Sequence, residues 1–61
     1  MKYVINTESG YIKDIFGLVA KFNTIEGASD YALAHHDIGY GTKTYEITSL
    51  HGDVVRKLTL N

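Results

Sequence analysis

The residues most able to do chemistry in this chain are three histidines, and their spacing argues against a shared site. His35 and His36 are adjacent, so on a helix their side chains diverge by about 100° and cannot hold one ion together. His51 lies in a predicted turn of a different element. We therefore predict no metal site, and we expect His35 to be a half-buried residue at the edge of the core.

No residue is marked as a catalytic nucleophile. The three serines fall in a predicted turn, helix and strand, without a neighbouring base. His36 beside Asp37 imitates a base with its orienting carboxylate, but nothing is placed for it to activate. The glycines on either side of Tyr40 precede a strand rather than open a helix, so they do not form a phosphate-binding loop. The sequence predicts a protein that is not an enzyme and that uses no cofactor.

The elements that position these residues begin with a capped amphipathic helix over about residues 25–36. Asn23 or Thr24 can cap its start, and Glu26 is placed to complete a capping box from Asn23. Gly39 is placed to stop it. One stripe of this helix is predicted to face the core at about 100° per residue. Its members are Ile25, Ala28, Tyr31, Ala32 and His35.

A first hairpin is predicted before the helix, from residues 2–7 and 11–16. A three-residue loop pairs Thr7 with Tyr11 and Tyr3 with Ile15, because this register collects apolar residues on one face. Gly17 marks a bend, after which residues 18–22 are expected to continue the strand. One face then holds Tyr3, Ile5, Tyr11 and Ile15, of which Tyr3, Ile5 and Ile15 are predicted to face the core, and the opposite face holds Val4, Asn6, Ile12 and Asp14.

A second hairpin is predicted after the helix, around a His51-Gly52 loop that pairs Ser49 with Val54 and Lys43 with Leu60. Its core face holds Tyr45, Ile47, Val54, Leu58 and Leu60. On the other face Thr48 lies opposite Val55, and Glu46 opposite Lys57 in an ion pair worth about 0.2–1 kcal/mol. The predicted fold is α+β in the order β-β-α-β-β: a mainly antiparallel four-stranded sheet with one helix packed on one face, in a single domain over residues 1–61.

Composition narrows the class of protein. The chain has 61 residues, 44% of them hydrophobic, with no cysteine to form a disulfide and a net charge of −1 that argues against a dedicated nucleic-acid binder. No apolar run approaches the roughly 20 residues of a membrane span, so we expect a cytoplasmic protein of a bacterial host without membrane contact. A core this small supplies no more than about 3–5 kcal/mol. We therefore expect a homodimer that covers Val4, Ile12 and Val55 on the open sheet face.

Charge is distributed unevenly along the chain. Between residues 24 and 42 every charged residue is acidic, and the three acids project within about 40° of one another on the helix face opposite the core, with Leu33 on its shoulder. One interpretation is a solvated face whose first acids stabilise the helix N-terminus. The other is a surface that docks on a basic groove of a partner. For the second, the predicted partner-binding residues are Glu26, Asp30, Leu33, Asp37 and Tyr40.

The pattern resembles small phage-encoded proteins, including some type I anti-CRISPR proteins, that share a β-β-α-β-β layout. The resemblance covers about two-thirds of the chain. It lies in Phe22-x-Thr24-x-Glu26-x-Ala28, Tyr31-Ala32, Gly41-Thr42-x-Thr44-Tyr45-x-Ile47 and Leu50-His51-Gly52-Asp53-Val54. It implies a non-enzymatic protein of a phage or mobile element that binds and sterically blocks a host defence complex.

Two other functions remain open from the sequence. One is a nucleic-acid-binding or regulatory module that uses Lys13, Lys57 and aromatic side chains on the sheet. The other is a small structural or assembly subunit.

Overall fold

A computed structural model of the chain describes residues 2–36 and 41–61. Its elements are β1 (Tyr3–Thr7), β2 (Gly10–Tyr11), α1 (Ile25–His35), β3 (Lys43–Ser49) and β4 (Val54–Leu60). The strands form one antiparallel sheet in the order β2-β1-β3-β4. Helix α1 lies between the two hairpins in sequence and packs Ala28 and Ala32 on the sheet. The predicted α+β fold is confirmed.

Helix α1 begins where the sequence predicts and ends one residue earlier, at His35. Thr24 is the N-cap, because its hydroxyl accepts the Gly27 amide at 2.9 Å. The capping box from Asn23 is therefore wrong: the Asn23 side chain instead accepts a hydrogen bond from the Lys2 ammonium. The predicted stop at Gly39 lies in residues 37–40, outside the described residues.

The core lies between the helix and one sheet face. Ile5 and Ile47 are its largest fully buried side chains, and they pack with Ala28 and Ala32 of the helix. The two alanines have short side chains, so helix and sheet can approach closely. The other buried members of the cluster are Ile12, Ala20 and Tyr45, and the partly buried ones are Tyr3, Phe22, Ile25, Leu58 and Leu60.

The predicted helix face is confirmed at its centre and differs at its margins. Ser29 is buried, whereas Tyr31 and His35 are exposed at the rim. The Ser29 hydroxyl can be buried because it donates to the Ile25 carbonyl at 2.8 Å and accepts from the Arg56 guanidinium at 3.0 Å. Tyr31 stacks on the exposed ring of His35 with centroids 6.0 Å apart, so the expectation of a half-buried His35 is wrong.

The predicted register of the first hairpin is wrong by one residue. Thr7 pairs with Gly10 and Asn6 with Tyr11, around a two-residue loop, and Gly10 takes a positive φ of 105° that suits glycine. A slip of one residue exchanges the two faces of a strand. Ile12, predicted on the open face, is consequently buried in the core, and Tyr11 is exposed.

The chain leaves the sheet after Ile12 and returns at Phe22. The Ile12 amide donates to the Ile5 carbonyl at 3.0 Å, and the amides of Tyr3 and Phe22 each donate to the other's carbonyl at 2.8 Å. Phe22 therefore takes the place opposite Tyr3 that was predicted for Ile15. The residues between them form a second, narrow hairpin in which Lys13 lies opposite Val19.

The second hairpin has the predicted register along most of its length. Lys43 pairs with Leu60, Tyr45 with Leu58 and Glu46 with Lys57. The Lys57 ammonium lies 3.9 Å from the Glu46 carboxylate, which confirms the predicted cross-strand ion pair.

A bulge changes the register of that hairpin near its turn. Thr48 pairs with Val54 rather than Val55, and the Ser49 amide donates to the Asp53 carbonyl at 2.8 Å. The loop between Ser49 and Asp53 thus holds three residues instead of two. As a result Val54 leaves the predicted core face and is exposed.

Candidate functional site

The sequence-predicted contact surface is partly described, as three residues on one side of α1. Glu26, Asp30 and Leu33, here called the acidic helix stripe, are separated by four and three residues and so share one side of the helix. All three are exposed, and Leu33 exposes 54% of its surface. Asp37 and Tyr40, also predicted to bind the partner, lie outside the described residues.

Arg56 of β4 determines where this stripe lies and lowers its charge. Its guanidinium bonds to the Ser29 hydroxyl and lies 4.0 Å from the Glu26 carboxylate. The stripe therefore lies toward β4, at one edge of the sheet. Glu26 is partly neutralised there, whereas Asp30 makes no ion pair with another described residue. The acidic character of the stripe is carried chiefly by Asp30.

A second exposed surface, not predicted from the sequence, lies at the opposite edge of the sheet. Ile15, Phe16 and Leu18 expose 94%, 80% and 66% of their surfaces. We call these three residues the apolar loop tip. They occupy the end of the narrow hairpin that leaves the sheet beside β2. The prediction that Ile15 lies on the core face is wrong, because the chain turns back before Ile15 can reach Tyr3.

The apolar loop tip is held by the side chain and backbone of Asp14. One carboxylate oxygen accepts the Phe16 amide at 2.9 Å and the Leu18 amide at 3.1 Å. The Asp14 carbonyl accepts the Gly17 amide at 3.1 Å, and its amide donates to the Leu18 carbonyl at 2.7 Å. Gly17 supplies the positive φ of 80° that this turn requires. The sequence signal is an aspartate three residues before a glycine, which is typical of a tight turn and not of a continuing strand.

Positive charge flanks this tip. Lys13 and Lys21 are exposed at the base of the narrow hairpin and make no ion pair with another described residue. With Asp14, the segment 13–21 carries a net charge of +1, from two lysines and one aspartate. Lys57 lies on β4 at the other edge and contacts Glu46. The two lysines considered for nucleic-acid binding, Lys13 and Lys57, therefore lie at opposite edges of the sheet.

The open sheet face does not have the apolar patch on which the predicted homodimer depends. Ile12 belongs to the core on the helix side, and Val4 is already buried. Of the three apolar residues expected on that face, only Val55 is exposed. The homodimer stays a prediction, but those residues give it no continuous contact surface.

A cleft beside β1 and the histidines near it are the other places where side chains able to do chemistry come together. A cleft of about 430 Å³ is lined by residues that include Tyr11, Lys13, His35 and Lys43. The His36 Nδ1 atom lies 3.2 Å from the hydroxyl of Tyr45, which also lines the cleft. Within residues 2–36 and 41–61, no three histidine or acidic side chains come together as metal ligands.

Comparisons with known proteins add no assignment: no family model, curated protein or solved structure matches this chain. In the part of the chain that the structure describes, no helix has the length and apolar character needed to cross a bilayer.

Proposed function

We propose that this chain is a small non-enzymatic binding protein of a phage or mobile element, which blocks a host defence complex by occupying its surface. The observation that carries the proposal is the pairing of Asp30 with Leu33 on the exposed side of α1. Leu33 is half-exposed and can act as an apolar anchor. Asp30 beside it is not neutralised by any described basic residue, so its charge can steer association.

The partner that fits this surface is a protein with a basic groove, such as a nucleic-acid-binding complex. The β-β-α-β-β layout shared with small phage-encoded inhibitors supports the class of protein, although one fold can host many functions. The target must therefore be argued from the stripe. Because Arg56 partly neutralises Glu26, Asp30 and Leu33 are expected to contribute most of the contact.

A direct test measures protection of a phage from its host. A bacterium with an active CRISPR system that targets the phage would express either the chain or a variant, and plaques would be counted. We expect the unmodified chain to raise the plaque number and the variant Glu26→Lys/Asp30→Lys to lose this effect. No rise in plaque number, with soluble chain present, would contradict the anti-CRISPR form of the proposal.

A pull-down from a lysate of the same bacterium tests the contact surface. The control Glu8→Lys/Asp53→Lys makes the same change of +4 in charge at exposed positions that are not part of the stripe. We expect the control to retain the captured partner and Glu26→Lys/Asp30→Lys to lose it. With the purified partner, Leu33→Ala should weaken binding mainly by speeding dissociation. The loss of binding free energy should reach about 2 kcal/mol if Leu33 is a hot spot. Equal retention by both charge variants would move the contact surface elsewhere.

A further inference from the structure

We propose that the apolar loop tip is a membrane-contact element that inserts Ile15, Phe16 and Leu18 into the surface of an anionic lipid bilayer. Three large apolar side chains within four residues project into water at 94%, 80% and 66% exposure, whereas Ile5 and Ile47 are the largest fully buried side chains among the described residues. Exposed apolar clusters of this kind mark binding surfaces.

The backbone of the tip favours lipid over a protein groove. A bilayer offers no hydrogen-bond partners, so an inserted segment must satisfy its own amides. Three of the four amides from Ile15 to Leu18, those of Phe16, Gly17 and Leu18, bond to Asp14, and the Leu18 carbonyl accepts the Asp14 amide. The tip can therefore leave water without breaking these bonds. A segment that binds in a protein groove does not need these internal hydrogen bonds, because the groove can supply hydrogen-bond partners of its own.

The flanking charges favour an anionic bilayer over a neutral one. Lys13 and Lys21 lie at the base of the hairpin, one on each arm, and are exposed. Long lysine side chains beside an apolar surface place their ammonium groups at the level of the lipid headgroups. The sequence-based expectation of no membrane contact rested on the absence of a long apolar run. A tip of three apolar side chains is too short to produce such a run.

This inference is independent of the proposed protein contact, because the two surfaces lie at opposite edges of the sheet. Lipid and a protein partner could be bound together. Failure of one proposal therefore leaves the other standing.

The chain contains no tryptophan, so one introduced residue provides an unambiguous reporter. The test adds vesicles of 70% phosphatidylcholine and 30% phosphatidylserine to the variant Phe16→Trp. We expect its emission to shift to shorter wavelength and to be quenched by brominated acyl chains. The matched control is Leu33→Trp, an exposed apolar position at the other edge, which should show neither change.

Sedimentation with the same vesicles measures how much the apolar side chains and the lysines each contribute to the partition coefficient of the protein between water and lipid. Phe16→Ala in the otherwise unmodified chain should lower the partition coefficient by about tenfold or more. Lys13→Gln/Lys21→Gln should lower it by about fivefold for each lysine, and added salt should reduce this difference. The control Lys43→Gln/Lys57→Gln should have little effect.

Two results would overturn the proposal. One is the absence of any emission shift for Phe16→Trp at millimolar lipid, with circular dichroism showing that the variant is folded; the tip would then be an anchor for a protein. The other is an equal shift for Leu33→Trp, which would mean adsorption without a defined contact element.

Discussion

Two isoleucines that the sequence predicts on the same core face should differ in how much stability they lose on the same substitution. Ile47 is fully buried between α1 and the sheet, whereas Ile15 exposes 94% of its surface at the apolar loop tip. Removing one methyl group from a buried isoleucine costs about 0.5–1.5 kcal/mol of unfolding free energy. The same change at an exposed site stays within about 0.5 kcal/mol.

The expected shifts in melting temperature can be separated in a domain of this size. With about 4–8 °C per kcal/mol, a loss near 1 kcal/mol for Ile47→Val lowers the melting temperature by about 4–8 °C. Ile15→Val should move it by no more than about 4 °C in either direction. Ile47→Ala, at about 2–5 kcal/mol, should leave much of the protein unfolded, because a core of this size supplies only about 3–5 kcal/mol.

Thermal and urea unfolding, followed by far-ultraviolet circular dichroism, measure the melting temperature and unfolding free energy of Ile47→Val and Ile15→Val. The variant Ile15→Ala extends the comparison at the exposed site. A loss of more than about 1 kcal/mol for Ile15→Ala would refute the placement of this residue outside the core. An unaffected Ile47→Val would refute the packing of α1 on β3.

Three further predictions concern the contacts that hold the elements. Thr24→Ala removes the helix cap and should lower the unfolding free energy by about 1 kcal/mol, whereas Asn23→Ala should lower it less; thermal unfolding that ranks them in reverse would contradict the cap assignment. Asp14→Ala should speed hydrogen exchange of the tip amides measured by NMR while amides in the sheet stay protected, and unchanged tip exchange would contradict the role of its carboxylate. A double-mutant cycle on Glu46 and Lys57 should give a coupling of about 0.2–1 kcal/mol that falls at high salt.

Local patterns determined much of this fold. Helix α1 could be placed from its cap and its stripe because positions three and four residues apart meet on one helix face whatever surrounds them. The central pairs of β3 and β4, including Glu46 with Lys57, follow from alternation along two adjacent strands. The same local geometry places Asp30 and Leu33 together on the exposed side of α1, although their role in binding stays a prediction.

Competition between distant segments decided the rest. The outer edge of β1 at Tyr3 could pair with Ile15 or with Phe22, and alternation allows both. Phe22 takes the position, and from it packs against Tyr31 of α1 with ring centroids 5.1 Å apart. The alternation of residues within the first hairpin cannot predict the contact between Phe22 and Tyr31, because Tyr31 belongs to the helix.

The same choice created the apolar loop tip, which the sequence did not predict as a surface. Once Phe22 occupies the edge of β1, the segment from Lys13 to Lys21 must leave the sheet, and Asp14 closes it as a tight turn. Ile15, which alternation assigns to the core face, then projects into water beside Phe16 and Leu18. The sequence by itself determines which residues alternate or recur on a helix; only the tertiary structure decides which of them find a partner, because each sheet edge and each core position can be filled once.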